Sequence, residues 1–219
     1  MAVSSVRYRV HGHEIRSENA AKPIAQASAY LVGWLKSNVR CKTALDYGCG
    51  KLRYAVHLAR RVERLTCVDS QVQLSRQQKV AEATTTVRDY AQGHLSARVL
   101  NIEQFAGDRT LYDFVLCANV LSAIPRARVR SKALRRLKRC VRPGGRALFV
   151  AQFRNTYFRD VLASGRAEEY LDGFLLNTSK HSSYYGLLDP PRLVSLLKRH
   201  GYEVAAAWTR GESAYVLTR

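Results

Sequence analysis

From about residue 43 onward the chain alternates short apolar runs of strand type with segments of helical periodicity, and this alternation leaves one economical architecture. Thr43 to Tyr47 is an apolar run ending in Asp46-Tyr47-Gly48-Cys49-Gly50. Leu52 to Val62 then reads as a helix, Leu65 to Val68 as a second strand closed by Asp69, and Val72 to Ala83 as a polar helix. Strands follow over Ala97 to Leu100 and Phe114 to Ala118, then a long helix over Arg126 to Val141 stopped by Pro143-Gly144-Gly145. Ala147 to Ala151 is a fifth strand. Asp189-Pro190-Pro191 starts a last helix, because Asp caps free N–H groups and Pro190 stands where no N–H is needed. Glu203 to Trp208 and Ser213 to Thr218 form a hairpin. The expected fold is α/β: a doubly wound, mostly parallel seven-stranded sheet in three layers, closed by a C-terminal antiparallel hairpin.

Two stretches stand outside the pattern. Residues 1–40 form an N-terminal helical extension, with a helix over Pro23 to Ser37 that puts Ile24, Ala27, Leu31, Trp34 and Leu35 on one side. The main domain spans 41–219, and within it 152–188 is longer than a plain connection. It is expected to carry helices of its own and to serve as lid or substrate wall.

A chain of 219 residues can bury a core without disulfide or metal staples. With 47% hydrophobic and 24% charged residues it is neither disordered nor a disulfide scaffold. No apolar run reaches the length of a membrane span, and the start has no secretory pattern, so a cytoplasmic protein is expected. The five cysteines have no Cys-x-x-Cys pair, and Cys67 and Cys117 lie in strand-type runs, which fits reduced core thiols. His11 and His13 have no third ligand nearby, so no metal site is read. Charge is the outlier: 36 basic against 17 acidic residues give +19, a surface that attracts polyanions. Of the basic residues 27 are Arg, which a GC-rich genome can also favour, but that swap does not explain the sign of the excess.

The sharpest local signal is Asp46-Tyr47-Gly48-Cys49-Gly50-Lys51, which follows a strand and opens a helix. Glycines there permit positive φ and close approach of a ligand, and a helix start offers unpaired N–H groups. Arg53 stands where a dinucleotide fingerprint needs its third glycine, and the P-loop pattern is absent too. An acid before a Gly-x-Gly turn remains, with Asp69 at the end of the next strand, where a carboxylate can accept both hydroxyls of a ribose.

With these residues the chain resembles the class I S-adenosylmethionine-dependent methyltransferases over about residues 40–219. Asp46, Gly48 and Gly50 match the glycine-rich first motif, Asp69 the ribose acid, and Asn101-Ile102 the segment flanking the adenine. Tyr112 to Leu121 match the fourth-strand motif and Arg142-Pro143-Gly144-Gly145 the turn into the fifth strand. Leu52 replaces the family's third glycine. The resemblance implies S-adenosylmethionine as cofactor, held by Asp46, Gly48, Cys49, Gly50, Asp69, Ser70, Asn101, Ile102, Cys117 and Asn119. Catalytic candidates at the strand ends are Asn119 and Gln152, and substrate candidates are Phe153, Arg154, His181, Tyr184 and Tyr185. Each has a bland counterpart: Asp69 or Asn119 can simply cap the next segment, and the aromatic residues can simply pack.

The methyl acceptor is approached by elimination. Cys117-Ala118-Asn119-Val120 is not the Asp/Asn-Pro-Pro-Tyr motif of exocyclic-amine DNA methyltransferases, and no Pro-Cys nucleophile follows the strand. From Arg126 to Arg146 there are ten basic residues and no acid. Arg128, Lys132, Arg135, Arg136 and Arg139 lie opposite the apolar stripe, either as a solvated exterior or as a phosphate-tracking surface. The leading expectation is methylation of nucleic acid, RNA before DNA. The alternatives are a small-molecule methyltransferase with an aromatic-lined pocket and a non-catalytic nucleic-acid-binding module with a vestigial cofactor site.

Overall fold

The computed structural model describes residues 7–153, 160, 162–165, 167–177 and 182–219. In chain order these form β1 (Arg7–Val10), β2 (His13–Arg16), α1 (Ala29–Asn38), β3 (Cys41–Tyr47), α2 (Ala55–Leu58), β4 (Val62–Asp69), α3 (Gln71–Ser75), β5 (Gln78–Val80), β6 (Ala83–Thr85) and α4 (Val87–Leu95). Next come β7 (Arg98–Asn101), α5 (Ile102–Gly107), β8 (Tyr112–Ala118), α6 (Ala127–Cys140) and β9 (Val141–Gln152). The rest are β10 (Ala167–Tyr170), β11 (Gly173–Asn177), β12 (Ser182–Gly186), α7 (Pro190–Arg199), β13 (Val204–Arg210) and β14 (Ser213–Thr218). Seven strands pair in the order β13-β14-β9-β8-β3-β4-β7, five more in the order β1-β2-β12-β11-β10. The seven-stranded sheet with its terminal antiparallel hairpin is the Rossmann-like fold expected from the alternation. Among the described residues no helix is long and apolar enough to cross a membrane.

The chain divides into two compact units, 21–116 with 139–146, and 7–20 with 117–138 and 147–219. In the first, β3 runs parallel to β4 and to β8, and β4 parallel to β7. Ala44, Leu45, Cys67, Val68, Val115 and Leu116 are fully or almost fully buried, as strands covered on both faces require. The helix expected from Pro23 begins only at Ala29, where Ser28 accepts a hydrogen bond from the Leu31 N–H. The helix expected over 52–62 is the short α2, because β4 already starts at Val62. The helix expected over 72–83 stops at Ser75, and a small hairpin, β5–β6, follows, its turn holding Ala81 at φ 51°. α4 carried no clear apolar stripe. It is held by its Thr86 cap on the Asp89 N–H and by burial of Val87 and Ala91.

In the second unit β14 pairs antiparallel with both β9 and β13. The connection expected to carry helices has helical residues at Asp160, Leu162 and Ala163, and it also supplies strands β10, β11 and β12. The N-terminal hairpin β1–β2 joins them through Ile15 opposite Ser182. Tyr8, Val10, Ile15, Ile124, Leu175 and Tyr184 form the core of this small sheet. Arg130, one of the ten bases between Arg126 and Arg146 but not among those read as facing outward, is buried. Its Nη2 donates to Asp172 Oδ1 at 2.8 Å and to the Tyr184 hydroxyl at 2.8 Å, its Nε to the Ile124 carbonyl at 2.7 Å, and its Nη1 pairs with Asp172 Oδ2. Burial alone would raise the Asp172 carboxyl, but bonds from Arg130 and Tyr184 hold it below the usual carboxylate range. Removing one partner of such a pair strands a buried charge.

Gly173 sits where β11 meets β12 most closely. A Cβ there would lie 1.9 Å from the Tyr185 carbonyl oxygen and 2.7 Å from the Gly186 Cα, both backbone atoms that cannot swing away. Gly173→Ala is therefore expected to cost about 3 kcal/mol, the upper range for overpacking, read as a lower midpoint in urea unfolding.

Candidate active site

The bend after β3 is built by hydrogen bonds to the neighbouring strand. The N–H groups of Gly48 and Cys49 both donate to the Val68 carbonyl, at 2.8 and 3.1 Å. Gly48 and Gly50 adopt φ of 74° and 57°, a region that costs other residues a Cβ clash. Leu52 takes the same left-handed conformation at φ 63°, fully buried and tied by its N–H to the Cys49 carbonyl. That explains the family's glycine there and shows how this chain tolerates its loss.

Asp69 closes the bend. Its Oδ2 accepts the Gly50 N–H at 2.8 Å and its Oδ1 the Ser70 N–H at 2.7 Å. A carboxylate at a strand end is of the chemical type that accepts ribose hydroxyls. Ser70 caps α3 by accepting the Gln73 N–H. Gln73, which no sequence signal singled out, is fully buried and donates from Nε2 to the Gly50 carbonyl at 2.8 Å, locking bend to helix. Asn101 stands opposite Asp69 in the β4–β7 register. It forms a capping box with Gln104 and donates to Gln71 Oε1 at 3.0 Å, while Ile102 is the first residue of α5.

Asp46, next to the last residue of β3, is deeply buried, and its Oδ2 has no hydrogen-bond partner among the described residues. Burial first, then the nearby Asp69 charge, push its carboxyl up to about 7 against the opposing pull of Arg53. The Cys49 thiol hydrogen-bonds Cys67, and this bond together with burial pushes it well above the usual thiol range. The Cys49 thiol therefore stays protonated at neutral pH.

In the second unit Cys117 is buried near the end of β8 and Asn119 follows it at φ 60°. The Asn119 N–H donates to the Val150 carbonyl at 2.8 Å, and its Oδ1 accepts the Gln152 N–H at 3.1 Å. The structure thus brings the two catalytic candidates together, with the Gln152 Nε2 turned to Glu212 at 3.3 Å. Phe153 is half-buried, its N–H held by the Glu212 carbonyl. Tyr184 is a core residue bonded to Arg130 and Asp172, and Tyr185 packs against Leu176. Arg154 and His181 lie outside the described residues. His11 meets Glu168 and Tyr170, and His13 meets Asn177. Among the described residues no three groups are placed to hold a metal ion.

The ribose and amino-acid tail of an adenosyl sulfonium donor fit the first unit. Asp69 offers a carboxylate at a strand end, beside the glycine bend, and Asp46 a buried carboxylate oxygen, unpartnered among the described residues and suited to an ammonium group.

Fold and bend together define the class I, Rossmann-like methyltransferases. Residues 45–149 match the family described as a methyltransferase domain, and the chain belongs to the S-adenosylmethionine-dependent enzymes of that class. Its sequence is 38% identical over 215 residues to the uncharacterized protein YmfD of Escherichia coli (strain K12), covering 98% of this chain and 96% of that protein. The DhpI–SAH complex superposes with a TM-score of 0.60 at 15% identity, covering 93% of this chain and 94% of the other. The Burkholderia thailandensis 1,6-didemethyltoxoflavin-N1-methyltransferase, bound to 1,6-didemethyltoxoflavin and S-adenosylhomocysteine, gives 0.57 at 16% identity, covering 93% and 77%. At such identities the two structures speak for the fold.

Proposed function

We propose that this methyltransferase acts on a nucleic acid, RNA before DNA. The observation that carries the reading is the net charge of +19, with Arg128, Lys132, Arg135 and Arg139 all exposed on α6. Arg136, by contrast, is half-buried. S-adenosylmethionine supplies an electrophilic methyl group on sulfur. Asp69 holds the ribose hydroxyls and Asp46 the ammonium of the tail. Asn119, fixed through its N–H and Oδ1, keeps its Nδ2 to orient an acceptor, and Gln152 fixes the end of β9. Alignment of this kind contributes several kcal/mol to a displacement whose main demand is an in-line approach.

A second reading, methylation of a small molecule, is favoured by the aromatic content of the small sheet, where Tyr8, Tyr170 and Tyr184 meet. The neighbour bound to 1,6-didemethyltoxoflavin is an example of such chemistry on this fold. Transfer of labelled methyl to separated RNA, DNA, protein and metabolite fractions decides between them. Label in RNA is expected. Label in the metabolite fraction alone would establish the second reading.

A further inference from the structure

Beside α7 lies a groove of about 380 Å³ lined by Asp172, Leu188, Pro191, Arg192, Ser195, Leu196 and Arg199. It belongs wholly to the second unit and to neither the glycine bend nor the strand-end residues. We propose that this groove is a docking site for the phosphate backbone of single-stranded RNA, an inference that rests on the nucleic-acid reading above and gives that substrate a second point of attachment.

Arg192, Ser195 and Arg199 share one face of α7 at helical spacing, and the backbone rise puts the Cα atoms of the two arginines about 10 Å apart along the axis. Two phosphates of one strand can therefore be met from a single helix face. Arg199 forms no hydrogen bond or ion pair among the described residues, and the Arg192 side chain is 58% exposed, with only a 3.8 Å approach to Asp189 and a 3.3 Å bond to the Leu187 carbonyl. Both forks are therefore open to bidentate pairing with phosphate oxygens. The one acid in the wall, Asp172, is already neutralised: both its oxygens are engaged by Arg130, and Oδ1 also by the Tyr184 hydroxyl. It presents no bare charge to repel an anion.

The remaining lining selects among polyanions. Leu188, Pro191 and Leu196 form an apolar floor for sugar and base faces, which an acidic peptide has no use for. A membrane surface fits poorly. The large exposed apolar residues among those described are Tyr30, Leu111, Leu162 and Leu171, and none lies on α6 or α7.

The test uses the full chain, a fluorescently labelled random-sequence single-stranded RNA, and anisotropy measured across a range of salt. Arg192→Glu with Arg199→Glu is compared with Lys42→Glu with Arg60→Glu, an equal change of charge at exposed bases of the first unit. The groove variant is expected to bind at least tenfold more weakly and to lose about 1.4 from the slope of log affinity on log salt, as two lost phosphate contacts require. The Lys42 and Arg60 variant is expected to lose less than threefold. Binding of S-adenosylhomocysteine is expected to be unchanged in both, and the glutamine pair at 192 and 199 repeats the result should the glutamates impair folding. Equal losses in the two variants would overturn the groove while leaving the nucleic-acid reading in place. Absence of RNA binding by the unaltered chain would sink both. Displacement of RNA by polyglutamate at matched charge would overturn the choice of phosphate.

Discussion

Replacing Asp69 with alanine is expected to weaken binding of S-adenosylhomocysteine at least tenfold, measured by titration calorimetry. The size follows from three losses at one carboxylate. The ribose hydroxyls lose a charged acceptor, and hydrogen bonds to charged groups contribute about 1.5–3 kcal/mol. The Gly50 N–H and the Ser70 N–H lose theirs as well, so the bend is no longer held in the conformation that admits the ligand. Asp69→Asn keeps the shape but can accept through only one oxygen, and is expected to fall between the alanine variant and the parent. Unchanged affinity in the alanine variant would remove Asp69 from the cofactor site.

The second large effect concerns Asp46 and pH. Its carboxyl is raised from 3.8 to about 7 in the folded chain. The folded state therefore holds this proton where the unfolded state has released it. Stability from this group is fully present below pH 4 and is lost as pH rises towards 7, a change on the order of 4 kcal/mol. The ligand-free protein should melt at lower temperature as pH climbs through this window, and Asp46→Asn should flatten that dependence. Cofactor affinity runs the other way. An ammonium pairs with the ionised carboxylate, so S-adenosylhomocysteine should bind more tightly as pH rises from 5.5 to 7.5, with proton release visible in buffers of different ionisation enthalpy. A pH-independent affinity in the parent chain would show that Asp46 does not hold the ammonium.

The parallel core was legible because its signals are local. A strand buried on both faces reads as a continuous apolar run, and Gly48, Gly50 and Asp69 mark places where backbone geometry or a strand end demands particular residues. Elements decided by distant partners were not legible. The segment after Ser75 turns into a hairpin at Ala81, a residue with no ordinary preference for positive φ. The 152–188 connection holds strands β10 to β12 besides its helical residues, and β2, far off in sequence, offers β12 an edge. In the sequence Arg130 is one base in a run of ten, and only the fold brings Asp172 and Tyr184 to it. Gln73 is a buried polar residue whose partner is a loop carbonyl, and nothing in its neighbours announces that.

The pairing of Ile15 with Ser182 also imposes a timetable. On the ribosome the first hairpin emerges long before its partner strand exists, so it must wait through the synthesis of 166 intervening residues (16 to 181) with one edge unsatisfied. Most of the glycine-bend unit, residues 21–116, leaves the exit tunnel during that interval. Assembly of the five-stranded sheet is thus a late event in biogenesis, and the nascent amino end is the natural place for a chaperone to engage.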